Sequence, residues 1–399
     1  MRRQGFNGFG QMKALAMVAG LFALGACDDS SGQSNNVNNA NNANNINNIN
    51  NVNNANNVNN LNNINNINNV NNTNNVNNGL CGAAEGQLFD ADHPWNQRVD
   101  AVALDAESDD IITYLEGNHA AAWAQFRIDG PSDEPDNLYG ITILTSDGTT
   151  TPAAFIPTDD HWSPDCDTAP VPLVAGGAIE GEAGYTCDND GDCHLIVVDT
   201  AACRLYEMWR ANVEEDTFFG GCLAVWDLEQ TYTPALRGEC CTSADAAGLP
   251  IAAHMFGPDD ITAGEIRHAL RFILPNENMR ERIYVRPATH STQATSGPAT
   301  APPYGARLRL RADFDLQTLN PAARVVAVAL QRYGMILSDG GNLTFTALND
   351  RFTTHTWAEV GLGPQDLTSL AWTDFEVVEL GERLAWDDDC NCERTPLEN

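Results

Sequence analysis

Three carboxylates lie beside aromatic or small residues and could supply the acid and base of a glycoside hydrolase. Glu207 precedes Trp209 by two residues. Asp227 directly follows Trp226, and Asp245 lies in a segment of small residues. In such enzymes one carboxyl protonates the glycosidic oxygen, a second activates water or attacks, and aromatic faces stack on the sugar. The three acids are therefore predicted catalytic residues and both tryptophans predicted substrate contacts. The competing interpretation is that each acid caps a turn, with Asp245 as an N-cap.

A second group of candidates follows at helical spacing. Glu265, His268 and Arg271 lie at positions i, i+3 and i+6 of a helix predicted from residue 260 to about 270. His268 is a candidate catalytic acid or base and Arg271 a candidate substrate contact. The alternative is that His268 is a core histidine with satisfied hydrogen bonds.

Arg286 and His290 follow a predicted strand and could bind an anionic group such as a uronic acid. Structural ion pairing with the many carboxylates of the chain is the alternative interpretation of both residues.

An acidic turn between two cysteines resembles a calcium loop. Asp188, Asp190 and Asp192 place side-chain oxygens around Gly191. The rest of a twelve-residue calcium loop, with its bidentate glutamate, is missing. The sequence leaves open a weak Ca²⁺ site or a solvated acidic turn, and it predicts no required cofactor.

The cysteines predict disulfides. Besides Cys27 there are ten, an even number, and no pair has the Cys-x-x-Cys spacing of a zinc site. Cys187 and Cys193 are the one local pair, and Cys81 is expected to join Cys390 or Cys392 across the ends of the domain.

The first residues have the order of a secretory signal. Basic residues precede an apolar run from 14 to 26, which is too short to span a bilayer. The run ends at Leu24-Gly25-Ala26-Cys27, which resembles the cleavage box of bacterial lipoproteins. That resemblance implies a signal peptide over residues 1–26, a lipid on Cys27 and a place in the cell envelope, facing the periplasm or the cell exterior. An ordinary signal peptide cut before an incidental cysteine is the alternative.

Residues 35–78 repeat the triplet Asn-Asn-X. A period of three fits neither a helix nor a strand, and one apolar residue per triplet buries too little area to offset chain entropy. We expect residues 27–79 to be a disordered tether; a short-repeat β-helix is the rival interpretation. Residues 80–399 then form a single disulfide-rich domain.

Charge excludes several classes of function. The chain has 21 basic and 54 acidic residues, so nucleic acid is not an expected partner. Lys13, inside the signal, is the sole lysine. Schiff-base, Walker-A and Ser-x-x-Lys chemistries are therefore excluded from the mature domain.

Turn residues at intervals of 8–12 predict short strands, including residues 139–144, 195–199, 283–286 and 307–311. One helix is well marked from Pro321 to about Tyr333, with Asn320 as its cap and Gly334 after its end. The expected fold is mainly β, a jelly-roll-like β-sandwich with a few peripheral helices.

Five segments read together resemble a family of secreted bacterial proteins. They are residues 205–209, 224–228, 242–250, 266–272 and 332–337, and the resemblance covers most of residues 90–380. It implies no particular activity. This chain departs from the pattern at residues 252–256, where the relatives have a Pro-Gly turn, and at Cys187–Cys193, which resembles an insertion.

Together these features predict a membrane-anchored lipoprotein whose domain binds or processes extracellular polysaccharide. If it is an enzyme, it is a carboxylate-based carbohydrate-active one. The alternative is a non-catalytic lipoprotein for adhesion or envelope structure.

Overall fold

The run Leu195–Asp199 is a strand that is buried at all five positions. An antiparallel strand with one face in water alternates apolar and polar residues, whereas a strand covered on both faces does not. The computed structural model, which describes residues 80–118, 124–131, 139–188 and 191–398, shows that this strand lies between two separate clusters of apolar side chains.

The described residues form seventeen strands and four α-helices, so the fold is mainly β, as predicted. In chain order the strands are β1 (Ile128–Asp129), β2 (Ile143–Ser146), β3 (Pro152–Ala153), β4 (Ile156–Pro157), β5 (Val171–Pro172), β6 (Leu195–Asp199), β7 (Arg204–Met208), β8 (Asn212–Glu214), β9 (Thr217–Gly220), β10 (Leu223–Asp227), β11 (Leu270–Leu274), β12 (Ile283–Tyr284), β13 (Arg307–Leu310), β14 (Met335–Gly340), β15 (Thr344–Thr346), β16 (Phe375–Val377) and β17 (Leu384–Ala385). The helices are α1 (Ser108–Gly117), α2 (Pro258–Ala263), α3 (Pro321–Arg332) and α4 (Trp357–Val360).

Two mixed sheets form the framework. The larger has the order β1-β15-β11-β14-β13-β16, and the second has the order β10-β7-β6-β2. β11 runs parallel to β14, and β2 runs parallel to β6. A third sheet, of order β4-β9-β8, is called the outer sheet, and one of its faces forms part of the candidate site.

The alternation of side chains in β6 explains the two clusters. Ile196 and Val198 point into the larger cluster, which also contains Trp226 and much of the six-stranded sheet. Leu195 and Val197 point into the smaller cluster, which contains Phe218 of the outer sheet. The four-stranded sheet thus separates the two clusters, and all of β6 is buried.

Helix α3 confirms the local signals read from the sequence. It begins at Pro321, and the Asn320 side chain accepts a hydrogen bond from the amide of Ala323 at 2.8 Å. Gly334 follows the helix with a φ of 72°, the left-handed conformation that glycine adopts without strain.

The predicted helix over residues 260–270 is wrong in its second half. α2 ends at Ala263, and Gly264 follows with a φ of 77°. The chain then leads into strand β11, where Leu270, Phe272 and Leu274 have no exposed surface. Residues 264–269 form neither helix nor strand, and pairing with β14 and β15 begins only at Leu270 and Phe272. Glu265, His268 and Arg271 therefore do not share a helix.

The strand predictions differ from the structure mainly at their ends. β6 matches its predicted bounds, but β2 begins at Ile143, because Ile141 bridges Leu348 and pairing with β6 starts at Ile143. β12 ends at Tyr284 and β13 at Leu310. β13 is antiparallel to both neighbours, and its residue Arg307 is buried and donates to the carbonyls of Pro94, Gln97 and Tyr333.

Five disulfides join the ten cysteines of the domain. The local bond Cys187–Cys193 is confirmed. The expected bond from Cys81 to Cys390 or Cys392 is wrong, since Cys81 pairs with Cys203. The remaining bonds are Cys166–Cys222, Cys240–Cys390 and Cys241–Cys392. Two adjacent cysteines thus fasten the C-terminal segment.

The predicted signal peptide, the lipidation site Cys27 and the Asn-rich tether lie outside the described residues. No helix within the described ranges is long and apolar enough to cross a bilayer.

Candidate functional site

Glu207 lies in the middle of β7 and has no exposed surface. Its carboxylate accepts hydrogen bonds from Trp226 Nε1 at 3.0 Å and from the Ala252 amide at 2.8 Å. Burial raises the pKa of Glu207 to about 7, while these N–H donors act in the opposite direction. The carboxyl therefore joins the four-stranded sheet to the segment at Ala252, and Trp226, also fully buried, offers no face to a sugar.

Asp245 is also fully buried, as the partner of Arg271. The guanidinium donates to Asp245 Oδ1 from Nε at 3.1 Å and from Nη2 at 2.9 Å, and it also binds Asp339 and Thr346. Ser338 Oγ donates to the other Asp245 oxygen at 2.5 Å. Burial raises the pKa of Asp245 to about 6, a shift that the charge of Arg271 opposes and that of Asp339 increases. This network fastens the loop around Asp245 onto strands β11, β14 and β15.

Asp227 ends β10 and caps the turn that follows, accepting from the Glu229 amide at 3.0 Å. That contact is the turn-capping role considered as the alternative for all three acids. Asp227 is partly exposed, whereas the other two acids are buried, so the three do not present a common surface to a substrate.

The two candidate histidines are held by backbone carbonyls. His268 Nδ1 lies 3.0 Å from the Ala269 carbonyl oxygen, and burial lowers the pKa of His268 to about 4. His290 Nδ1 lies 2.8 Å from the Ala246 carbonyl oxygen, and burial lowers its pKa as well. Neutral imidazoles in these positions stabilise the fold, which is the alternative given above for His268.

Arg286 pairs with Glu239 and lies over the ring of Tyr284, 6.0 Å from its centroid. This matches the ion-pairing alternative. The guanidinium is engaged by a carboxylate of the chain itself.

An ion pair that the sequence did not predict lies directly before β6. His194 Nδ1 lies 2.6 Å from Glu180 Oε2. Burial lowers the pKa of His194, but the charge and hydrogen bond of Glu180 outweigh it and raise the pKa to about 9. His194 is therefore an imidazolium at neutral pH.

The acidic turn is partly described. Asp188 and Asp192 are exposed, and Asp190 lies outside the described residues. The one group of side chains there with metal-binding proximity is Glu182, Cys187 and Cys193. Both sulfurs belong to the disulfide and are not available as thiolate ligands. The Ca²⁺ site stays a prediction.

Of the two predicted tryptophan contacts, Trp226 is buried and Trp209 is partly exposed. It stacks on Trp162, with ring centroids 5.8 Å apart and planes inclined by 17°, and Trp162 is 39% exposed. Asp192 Oδ1 accepts from Trp209 Nε1 at 2.7 Å and fixes the indole. The guanidinium carbon of Arg210 lies 4.9 Å from the centre of the Trp209 ring. We call Trp162 and Trp209 the tryptophan stack.

Backbone contacts hold the two tryptophans together. The Trp209 amide donates to the Cys222 carbonyl at 2.9 Å, and the Cys166 amide donates to the Trp162 carbonyl at 2.8 Å. The disulfide Cys166–Cys222 joins these two backbone positions. The stack is therefore built on a covalently fixed frame.

The outer sheet continues this surface. Ile156 of β4, Phe219 of β9 and Asn212 of β8 are register partners, so their side chains point to the same side of the sheet. Ile156 is 53% exposed, and the other two are partly exposed. Val213 and Phe218, the alternate residues, pack into the smaller apolar cluster.

A shallow cavity of about 280 Å³ lies on this face. Its lining residues are Thr158, Asp160, Gly191, Arg210, Asn212, Glu214 and Phe219. Gly191 and Arg210 neighbour Asp192 and Trp209 in the chain, which places the cavity beside the tryptophan stack. Polar groups beside a flat aromatic surface match a sugar ring, which has hydroxyls at its edge and C–H groups on its faces.

Sequence reasoning missed Trp162, Arg210, Asp160 and the outer sheet. A single tryptophan in a turn-rich segment carries no signal of its own, and its partner Trp209 lies far along the chain. No family model, curated protein or solved structure matches this chain.

Proposed function

We propose that this protein is a lipid-anchored envelope protein that binds extracellular polysaccharide, without cleaving it, on the face formed by the tryptophan stack and the outer sheet. The observation that carries the proposal is the pair of stacked indoles at the surface. Trp162 is 39% exposed and is held by stacking on the partly buried Trp209, and an exposed indole beside polar side chains offers a sugar ring both an aromatic face and hydrogen-bond partners.

Binding is favoured over hydrolysis by the placement of the carboxylates. Glu207 and Asp245 have no exposed surface, and each is engaged by hydrogen-bond donors of the protein. A hydrolase needs two carboxyls on opposite sides of the scissile bond, within reach of the substrate. Such a pair would require the loop around Asp245 to leave the strands that hold it.

The envelope location rests on the sequence. Cys27 follows a lipoprotein-type cleavage box, and the Asn-rich repeat after it predicts a spacer of considerable reach. A binding domain on such a spacer reaches polymers away from the membrane that holds its lipid. The five disulfides fit an oxidising compartment.

We further propose that the two sheets beside the binding face pack as a jelly-roll-like sandwich. The four-stranded sheet and the outer sheet contribute side chains to the same apolar cluster, as two packed layers would. The parallel pairs β2/β6 and β11/β14 differ from the antiparallel strands of a jelly roll.

The test is binding of the full chain and of Trp162→Ala to arrayed glycans and insoluble polysaccharides. Loss of one central aromatic contact costs about 2 kcal/mol, so affinity should fall about 30-fold. Trp386→Ala is the matched control, since that partly buried tryptophan packs against His290 instead. Circular dichroism verifies that both variants fold.

Two results would count against the proposal. One is the absence of binding to every glycan, and the other is equal binding by wild type and Trp162→Ala. Release of reducing sugar from a bound polysaccharide, abolished in a folded Asp245→Asn variant, would overturn the non-catalytic part and restore the hydrolase prediction.

A further inference from the structure

Acidic side chains dominate the charge of the proposed binding face. Of the seven residues that line the cavity, Asp160 and Glu214 are acidic and Arg210 alone is basic. Glu215 and Asp216, in the turn between β8 and β9, are exposed. Asp192 adds a further exposed carboxylate at the edge of the Trp209 ring.

The one cation on the cavity wall is already paired. Arg210 Nη1 lies 3.1 Å from Asp160 Oδ2, and the guanidinium lies over the Trp209 ring. Recognition of a sugar carboxylate or sulfate depends on a guanidinium that can present two donors side by side. Asp160 already compensates the charge of Arg210 through Nη1, so the attraction of the guanidinium for an acidic sugar is reduced.

The negative charge of Glu214 is not paired with a cation in the part of the chain that the structure describes. It is exposed, and its Oε1 accepts from Asn212 Nδ2, a neutral donor, at 2.8 Å. Its charge therefore acts directly on a ligand in the cavity, because a Debye length of about 8 Å at physiological ionic strength leaves short-range repulsion or attraction largely unscreened. The whole chain, with a net charge of −33, adds repulsion in the same direction.

Indole contacts favour the same ligands. Trp162, which is 39% exposed, offers the indole face, and such a face attracts C–H groups and cations through its quadrupole. A neutral sugar offers C–H groups, and an amino sugar adds an ammonium.

We propose that the ligand of this face is a glycan without acidic groups, and that amino groups on the sugar strengthen its binding through Glu214. This inference rests on the proposed function and names the chemical class of its ligand. Uronic-acid polymers and sulfated glycans are excluded by the same carboxylates.

The test is affinity electrophoresis of the full chain through gels that contain one polysaccharide each. The probes are β-glucan, glucomannan and xylan as neutral polymers, chitosan as the amine-bearing polymer, and alginate, polygalacturonate and dextran sulfate as acidic polymers. We expect retention by neutral polymers and chitosan and none by the acidic set. Raising NaCl to about 1 M should remove the advantage of chitosan and leave neutral binding unchanged.

Charge reversal at the site separates this inference from the proposed function. Glu214→Arg should weaken binding to chitosan by about twofold to fivefold relative to binding of the neutral polymers, and it should create retention by acidic polymers. Glu382→Arg, a reversal at an exposed residue before β17, is the control for net charge and should change none of these.

Retention of the wild type by acidic polymers as strong as by neutral ones would overturn the inference while leaving glycan binding in place. So would a chitosan affinity that Glu214→Arg leaves unchanged. No retention by any polymer, or retention that Trp162→Ala does not reduce, would instead refute the proposed function and this inference with it.

Discussion

Replacing His194 by glutamine should remove a pH-dependent part of the stability of the fold. His194 is buried, with Nδ1 2.6 Å from Glu180 Oε2, and its pKa is raised to about 9 from an ordinary value of 6.5. The folded state therefore holds a proton more tightly than the unfolded state does. The stabilisation is complete below about pH 6.5 and is lost as the pH rises through about 9.

The magnitude follows from the two pKa values. Their difference corresponds to roughly 3 kcal/mol of unfolding free energy. Urea denaturation of the wild type and His194→Gln, at intervals from pH 6 to pH 10, measures it. We expect the free-energy difference between the two proteins to shrink by roughly 3 kcal/mol across that range.

A second buried histidine supplies the control. His254 Nδ1 donates to the Pro250 carbonyl oxygen, 2.7 Å away, and burial lowers the pKa of His254 to about 3. Its proton is lost in both states above pH 7, so His254→Gln should shift stability by the same amount from pH 7 to pH 10. If the difference between wild type and His194→Gln is also constant over that range, His194 is not held as a cation and the ion pair with Glu180 is refuted.

Two further predictions concern the buried network and the disulfide loop. Asp245→Asn removes one of the carboxylates that pair with the buried Arg271. It should lower the unfolding free energy by about 3 kcal/mol, measured by denaturation at pH 7. Wild-type stability of this variant would contradict the structural role of the pair. Replacing Cys187 and Cys193 together by serine opens a short loop and should lower the unfolding free energy by about 2 kcal/mol. It should also weaken glycan binding, because the loop carries Asp192, which binds Trp209 Nε1. Unchanged affinity of the folded double variant would show that the loop does not position the indole.

Local signals in the sequence predicted local structure well. The Asn320 cap with Pro321 and the following Gly334 defined α3, and the apolar run Leu195–Asp199 defined β6. The predicted helix over residues 260–270 failed in its second half because Gly264 ends α2 in the left-handed conformation, and β11, which begins at Leu270, is defined by its pairing with β14 and β15. Long-range pairing is not encoded in a short window, and for the same reason the local bond Cys187–Cys193 was predicted correctly while the partner of Cys81 was not.

The candidate site shows where sequence reasoning fails and why. Glu207 and Asp245 have the residue types of a hydrolase, but chemistry depends on exposure, and both are buried. Trp209 was identified beside an acid, whereas the structure pairs it with Trp162 from a distant loop. Tertiary contacts place these two indoles together, and no motif predicts that contact.

The central claim is that a glycan binds on the tryptophan stack, and fluorine NMR of the 5-fluorotryptophan protein tests it most directly. Each resonance is assigned by replacing one tryptophan by phenylalanine, and a polysaccharide that the array identifies is then titrated. The account predicts that the resonances of Trp162 and Trp209 shift together and saturably while that of the fully buried Trp226 does not move. Saturable binding that leaves both stack resonances unchanged would contradict it.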